Sequence, residues 1–138
     1  MNKPFSVAVF VLSPEGIVLV NDPNKPDPFW KFPGGHNQAS EKPDESAARE
    51  LAEETGISLY PQELELLYGE ERTNTDGRGK HDFFMFYVAL GKLPELLERG
   101  NEGEEIKVFP LSFIGDPCFL PQHRRVVMSF LSNGSPAN

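Results

Sequence analysis

The sequence predicts an α+β protein arranged as an α/β/α sandwich, a sheet with a helix layer on each face. Residues 5–12 and 82–90 (DFFMFYVAL) are short apolar runs that read as buried strands. Two further stretches carry helical patterns, one closing on Gly56 and one over residues 121–131. Strands flanked by such helices bury both of their faces most simply as a sandwich.

The elements follow in chain order. Residues 5–12 and 16–20 are two strands joined by the turn Ser13-Pro14-Glu15-Gly16. The apolar run at 6–12, with Lys3 before it, reads as a buried strand rather than a secretion signal. It is short, lacks a small-x-small cleavage pattern and leads directly into that turn. Residues 21–28 hold three prolines and form a loop placed to overhang the glycine pair Gly34-Gly35. A helix begins near Pro43, which suits a first helical turn, and ends at Gly56, which suits the left-handed position past a helix. Residues 64–73 have strand character, although Glu-Leu-Leu-Tyr also fits a helix. A turn at 74–80, the strand at 82–90 and a short strand at 105–109 come next. The last helix puts Val126, Val127, Phe130 and Leu131 on one side.

At 138 residues and 15.4 kDa the chain is most simply one domain, residues 1–138, with enough length to bury a core. No repeat, low-complexity tract or inter-domain linker interrupts it. Cys118 stands alone, so no disulfide forms within the chain, and it reads as a small buried hydrophobe. No segment approaches the ~20 apolar residues of a membrane helix, and the expected location is the cytoplasm. A net charge of −8 argues against a broad grip on long nucleic acid, yet admits a small polyanion bridged by metal.

Residues 35–57, GHNQASEKPDESAARELAEETGI, concentrate the chemistry. At ~100° per residue, Glu50, Glu53 and Glu54 share one arc of a helix. Ala48, Leu51, Ala52 and Thr55 lie roughly opposite, so the expected helix packs its apolar side and turns its acids outward. Glu50 and Glu54, one turn apart, repel by a few tenths of a kcal/mol, roughly. A cation relieves that repulsion. Oxygen ligands without a His or Cys cluster favour Mg²⁺, or Mn²⁺, over zinc.

The spacing of Gly35, Glu41, Arg49, Glu50, Leu51, Glu53, Glu54, Gly56 and Ile57 resembles the signature of the Nudix hydrolases. The preceding Phe29-Trp30-Lys31-Phe32-Pro33-Gly34-Gly35 is similar to the approach seen in many members. The resemblance implies a mixed sheet with the motif as loop–helix–loop, and magnesium-dependent cleavage of a diphosphate linked to another moiety. It implies Glu50, Glu53 and Glu54 as metal ligands, with Glu53 also a candidate base for the attacking water. The carbonyl of Gly35 is a further candidate ligand. Arg49 is a catalytic-motif residue that fixes a carboxylate, and Glu41 either binds a further ion or steadies the loop. Glu104 and Glu105 precede or open a late strand, where relatives often place one more acid. Arg72, Arg78 and Lys80, near His81, are candidates for substrate contact. Trp30 reads as packing, while His36 and His123 are assigned no chemistry. Many relatives have Glu where this chain has Gln38 and Gly where it has Ser40, which leaves the loop conformation open.

The expected ligand is a small phosphorylated metabolite or nucleotide. A nucleoside triphosphate giving the monophosphate and pyrophosphate leads. Dinucleoside polyphosphates, nucleotide sugars, ADP-ribose and a non-catalytic nucleotide-binding module remain alternatives. The oligomeric state is open, a homodimer included.

Overall fold

The computed structural model describes residues 3–25, 29–74 and 76–132. The chain runs β1 (Phe5–Ser13), β2 (Gly16–Asn21), β3 (Gly34–His36), α1 (Pro43–Thr55), β4 (Glu65–Thr73), β5 (Lys80–Ala89), β6 (Glu105–Phe109) and α2 (Pro121–Ser132). The sheet order is β4-β5-β1-β2-β6, with β3 beside β1. β1 and β5 are parallel, from Phe5↔Asp82 to Leu12↔Ala89, and the other pairings are antiparallel. The sheet is therefore mixed.

Strand alternation sorts the core into two layers. Val7, Val9 and Val11 of β1 meet Ala47, Ala48 and Leu51 of α1, together with Phe86 and Val88 of β5. Ala8 and Phe10 face the other way, toward Phe32, Met85, Phe119, Val126 and Val127. Both faces of β1 are dry, which explains its unbroken apolar run. Fully burying one such side chain contributes about 1.5–3 kcal/mol. Phe10, Leu51 and Phe119 have essentially no exposed surface.

The edge of β1 is shared. β2 pairs with it only at Leu12↔Ile17 and Ser13↔Gly16, and β3 occupies the other end, at Ser6↔His36 through Ala8↔Gly34. β3 was not expected as a strand, because two glycines and a histidine carry no side-chain alternation. A bare backbone nonetheless fits here: a Cβ on Gly34 would stand 2.0 Å from the Val7 carbonyl oxygen.

Several expectations need correction. Cys118 is exposed, not buried. Its backbone is held in the turn before α2, where its N–H donates to Asp116 Oδ1 at 2.8 Å and its carbonyl accepts from the Trp30 N–H. The expected loop at 21–28 loses Asn21 to β2, and its residues 26–28 lie outside the described residues, as does residue 75 of the turn at 74–80. Phe130 and Leu131 are only partly buried, and the polar His123 joins Val126 and Val127 on the packed side of α2.

Candidate active site

The face of α1 that meets β3 carries the site. Its helix ends as expected, with Gly56 at φ 85° and the Gly56 N–H donating to Ala52 O at 2.9 Å. Its acids do not all turn outward, however. The buried side consists of Ser46, Ala47, Ala48, Leu51, Glu54 and Thr55, while Ala52 is only partly covered. Glu54 is 5% exposed and its Oε1 accepts the Gly34 N–H at 2.6 Å. The periodicity placed Glu54 on the acidic arc correctly, but β3 covers that part of the arc.

Burial pushes the Glu54 carboxyl up to about 8, against the Gly34 hydrogen bond, with Glu104 and Glu50 adding to the rise. Burial likewise raises Glu50, although the Arg49 guanidinium opposes it. Burial thus favours the uncharged form of both carboxyls.

Arg49 organises the remainder. Its Nε donates to Glu41 Oε2 at 2.6 Å and its Nη2 to Glu41 Oε1 at 3.1 Å, a two-pronged pair. Nη1 donates to Glu50 Oε1 at 3.0 Å and to Glu53 Oε1 at 3.1 Å, and Nη2 also to His36 O at 3.0 Å. The Arg49 pairing holds the Glu41 carboxyl below the usual range, burial notwithstanding. Glu41 Oε1 additionally accepts the Gln38 N–H at 2.7 Å. Both Glu41 oxygens are thus engaged by Arg49 and the Gln38 N–H. The loop before Glu41 contains Ser40 at φ 68°, the one non-glycine with positive φ among the described residues. The position where relatives carry glycine is therefore a left-handed one.

Opposite α1, a late loop supplies more acids. The Asn101 N–H donates to Glu53 O at 3.1 Å and the Leu97 N–H to Thr55 O at 2.9 Å, docking the loop on the last turn of α1. Glu104 is buried, and its Oε1 accepts the Glu102 N–H at 3.0 Å. Glu105 opens β6, as the strand expected at 105–109 requires, but its Oε1 accepts from Asn21 Nδ2 at 3.0 Å and it does not line the cavity.

That cavity, about 540 Å³, brings Glu50, Glu53, Glu54, Glu102 and Glu104 together with Gly34, Gly35 and Arg49. Asp22, Lys25, Lys31, His36, Gln38 and Asn101 complete its wall. Glu102 was missed because a single acid in an acidic loop carries no spacing. Lys31 was missed because it sits inside an aromatic run.

The glycine pair also needs correcting. Val9 N–H donates to Pro33 O and Asn37 N–H to Phe5 O, so strand alternation makes Val7 and Gly35 the bonded pair between them. The Gly35 carbonyl is thereby turned to β1. Gly34 points its N–H at Glu54, and in a strand the carbonyl of the same residue points to the same side. Gly34, not Gly35, presents a carbonyl toward the acids. Gly35 matters for space: a Cβ there would lie 2.6 Å from the Glu50 carboxylate.

Of the three basic candidates, Arg72 lines a cavity beside the glycine pair. Arg78 lies on the exposed turn after β4, and Lys80 pairs with Glu71 at 3.3 Å. Trp30 packs as expected, edge-on to Phe109 at 4.9 Å.

The oxygen donors suit a hard divalent cation. Among the described residues, no three Asp, Glu, His or Cys side chains are already gathered into a metal cage. Arg49 holds Glu50 and Glu53 on its own nitrogens instead. Such an open set fits a magnesium-like ion, which takes one or two carboxylates and leaves positions to water and phosphate.

The chain is 38% identical over 78 residues to human nucleoside diphosphate-linked moiety X motif 6, a match covering 56% of this chain and 24% of that protein. It is 43% identical over 63 residues to phosphatase NudJ of Escherichia coli, covering 45% of this chain and 41% of that one. The chain thus spans less than half the length of these curated relatives. Among solved structures, a MutT protein from Methanosarcina mazei superposes with a TM-score of 0.74 at 21% identity, covering 96% of this chain and 97% of that one. A Francisella tularensis bifunctional NMN adenylyltransferase/ADP ribose pyrophosphatase, complexed with AMP and a manganese ion, gives 0.71 at 23% identity, covering 96% and 42%. These two structures share the fold. The family model of the NUDIX domain matches residues 2–130, and the chain belongs to that family.

Proposed function

We propose that this chain, acting as a single domain, is a pyrophosphohydrolase that cleaves a diphosphate linkage with Mg²⁺, or Mn²⁺. A nucleoside triphosphate yielding the monophosphate and pyrophosphate is the leading substrate. The observation that carries this reading is the convergence of Glu50, Glu53, Glu54, Glu102 and Glu104 on one 540 Å³ cavity beside the glycine strand β3. The names of the relatives, a diphosphate-linked moiety X protein and a phosphatase, point the same way. So does the AMP and manganese of the Francisella neighbour. Among the described residues, no helix is long and apolar enough to cross a membrane. Our reading places the activity on the nucleotide pool of the cytoplasm.

Glu50, Glu54 and the Gly34 carbonyl would hold the cation. When bound, it neutralises phosphate oxygens and lowers the pKa of a water. The chain's own residues do the rest. Glu53, which keeps about a third of its side-chain surface exposed, would accept the proton of an attacking water. Arg49 fixes the Glu50 and Glu53 carboxylates at 3.0 and 3.1 Å, so neither must be ordered when substrate arrives. Lys31 lies on the same wall and offers a counter-charge to the departing phosphate.

The test is a product assay in ¹⁸O-labelled water with wild type, Glu53→Gln and Glu54→Gln. Pyrophosphate should be the primary product from a nucleoside triphosphate, with turnover lowered at least about 100-fold in each variant. Orthophosphate as the first product, or near-normal turnover in both variants, overturns the assignment.

A further inference from the structure

Next to the acidic cavity, across Gly34 and Gly35, lies a smaller one of about 180 Å³ with the opposite chemistry. Lys31, His36, Arg72 and His123 line it, and none of its described lining residues is Asp or Glu. In a chain of net charge −8, a compartment whose titratable lining residues are all basic is not a typical sample of the surface. Lys31 lines both cavities, so they form one continuous surface.

Arg72 is built into this compartment. Its Nε donates to Glu70 Oε1 at 2.9 Å, and its guanidinium lies 3.8 Å from the centre of the Phe83 ring. Glu70 is fixed in turn, accepting from Tyr68 Oη at 3.0 Å and from Arg125 Nη2 at 2.8 Å. Held so, Arg72 keeps Nη2 shut off from solvent with no acceptor. A guanidinium with one N–H left unpaired is only partly compensated by Glu70, which leaves positive charge at the cavity wall for an anion. His123 adds a second donor. Its Nδ1 accepts the Phe32 N–H at 3.2 Å, so the neutral ring carries its proton on Nε2. The positive end of α2, which starts at Pro121, adds to the field.

The aromatic rings nearby are already occupied. Phe32 stacks between Phe10 at 5.1 Å and His123 at 5.5 Å, and Phe83 has Arg72 and, at 5.9 Å, His123 against it. A base seeking a stacking face finds these rings taken. An anionic oxygen finds donors.

We infer that this compartment binds an anionic oxygen, foremost a phosphoryl group, on the part of the substrate beyond the scissile diphosphate, with Arg72 as the residue that selects it. The inference rests on the diphosphatase reading for its place in a substrate. Its test does not depend on turnover.

With divalent metal removed by chelator, the acidic cavity repels anions, so phosphate binding reports on the basic compartment. Inorganic phosphate should be titrated into ¹⁵N-labelled protein while following the Phe32, Gly34 and His123 amides and Arg72 Nε. Saturable shifts are expected in the millimolar range. Arg72→Gln should weaken them by about tenfold or more and Arg72→Lys by less. Amide dispersion shows whether each variant is folded; should Arg72→Gln not fold, Arg72→Lys decides. Absence of saturation, phosphate binding equal in wild type and the deciding Arg72 variant, or tighter binding of neutral adenosine than of phosphate at the same amides would each overturn the proposal. Loss of hydrolysis in the product assay with phosphate binding intact would instead overturn only the diphosphatase reading.

Discussion

Ser40 is strained in a way that one substitution can relieve. At φ 68° its Cβ crowds the backbone, and a left-handed residue other than glycine costs about 1 kcal/mol. Ser40→Gly should raise the melting temperature by about 2–4 °C, less whatever the added freedom of the unfolded chain takes back. A melting temperature that falls would mean that the Ser40 side chain supports the loop. The two adjacent glycines separate fold from chemistry. A methyl on Gly34 meets backbone, the Val7 carbonyl oxygen at 2.0 Å, so Gly34→Ala should destabilise by about 3 kcal/mol or more. On Gly35 it meets only the tip of Glu50, at 2.6 Å. Gly35→Ala should therefore keep stability within about 1 kcal/mol of wild type while lowering turnover at least about tenfold. Denaturant titration and a hydrolysis assay on the pair check this. Equal losses of stability would refute the distinction.

At the scale of elements, what was legible in the chain follows from what leaves a side-chain pattern. β1, β5 and α2 were found within a residue or two because their packed faces impose a period on the sequence. β3 left none, being a strand of two glycines and a histidine, and with it went the burial of Glu54. The motif acids on α1 were readable by spacing, whereas Glu102 reaches the cavity only because the loop ending at β6 docks on Glu53 and Thr55. Cys118 was misjudged for a similar reason: its exposure is set by a turn, not by its polarity. The docking contact can be tested. Asn101 binds α1 through its backbone N–H at 3.1 Å and through Nδ2 to Glu53 Oε1 at 3.4 Å. Asn101→Ala removes only the longer bond, so stability should change by less than about 1 kcal/mol. Turnover should fall severalfold, because Glu53 is then oriented by Arg49 alone. Unchanged kcat with a raised KM would instead assign Asn101 to substrate binding.

For the whole molecule, two buried groups on opposite faces of the sheet pull stability in opposite directions with pH. His123 packs between Phe32 and Phe83, and burial, with the charges of Lys31 and Arg72, lowers it from 6.5 to about 3. Unfolding lets it take a proton, so its contribution is complete above about 6.5 and is lost as pH falls toward 3. Glu54 behaves in reverse. Burial raises it from 4.5 to about 8, so its protonated form favours the fold below 4.5 and that contribution is lost as pH rises through 8. Between about 4.5 and 6.5 the two slopes oppose each other, and the stability of the metal-free protein should be flatter there than either group alone would make it. Glu54→Gln removes one arm. Measured by denaturant titration in chelator, its stability should decline steadily as pH drops below about 6.5. His123→Gln keeps a side-chain acceptor for the Phe32 N–H but cannot titrate, and its stability should instead climb as pH falls from 8 toward 4.5. Parallel pH profiles for the two variants would show that neither buried group governs the acid response, leaving the surface carboxylates to set it.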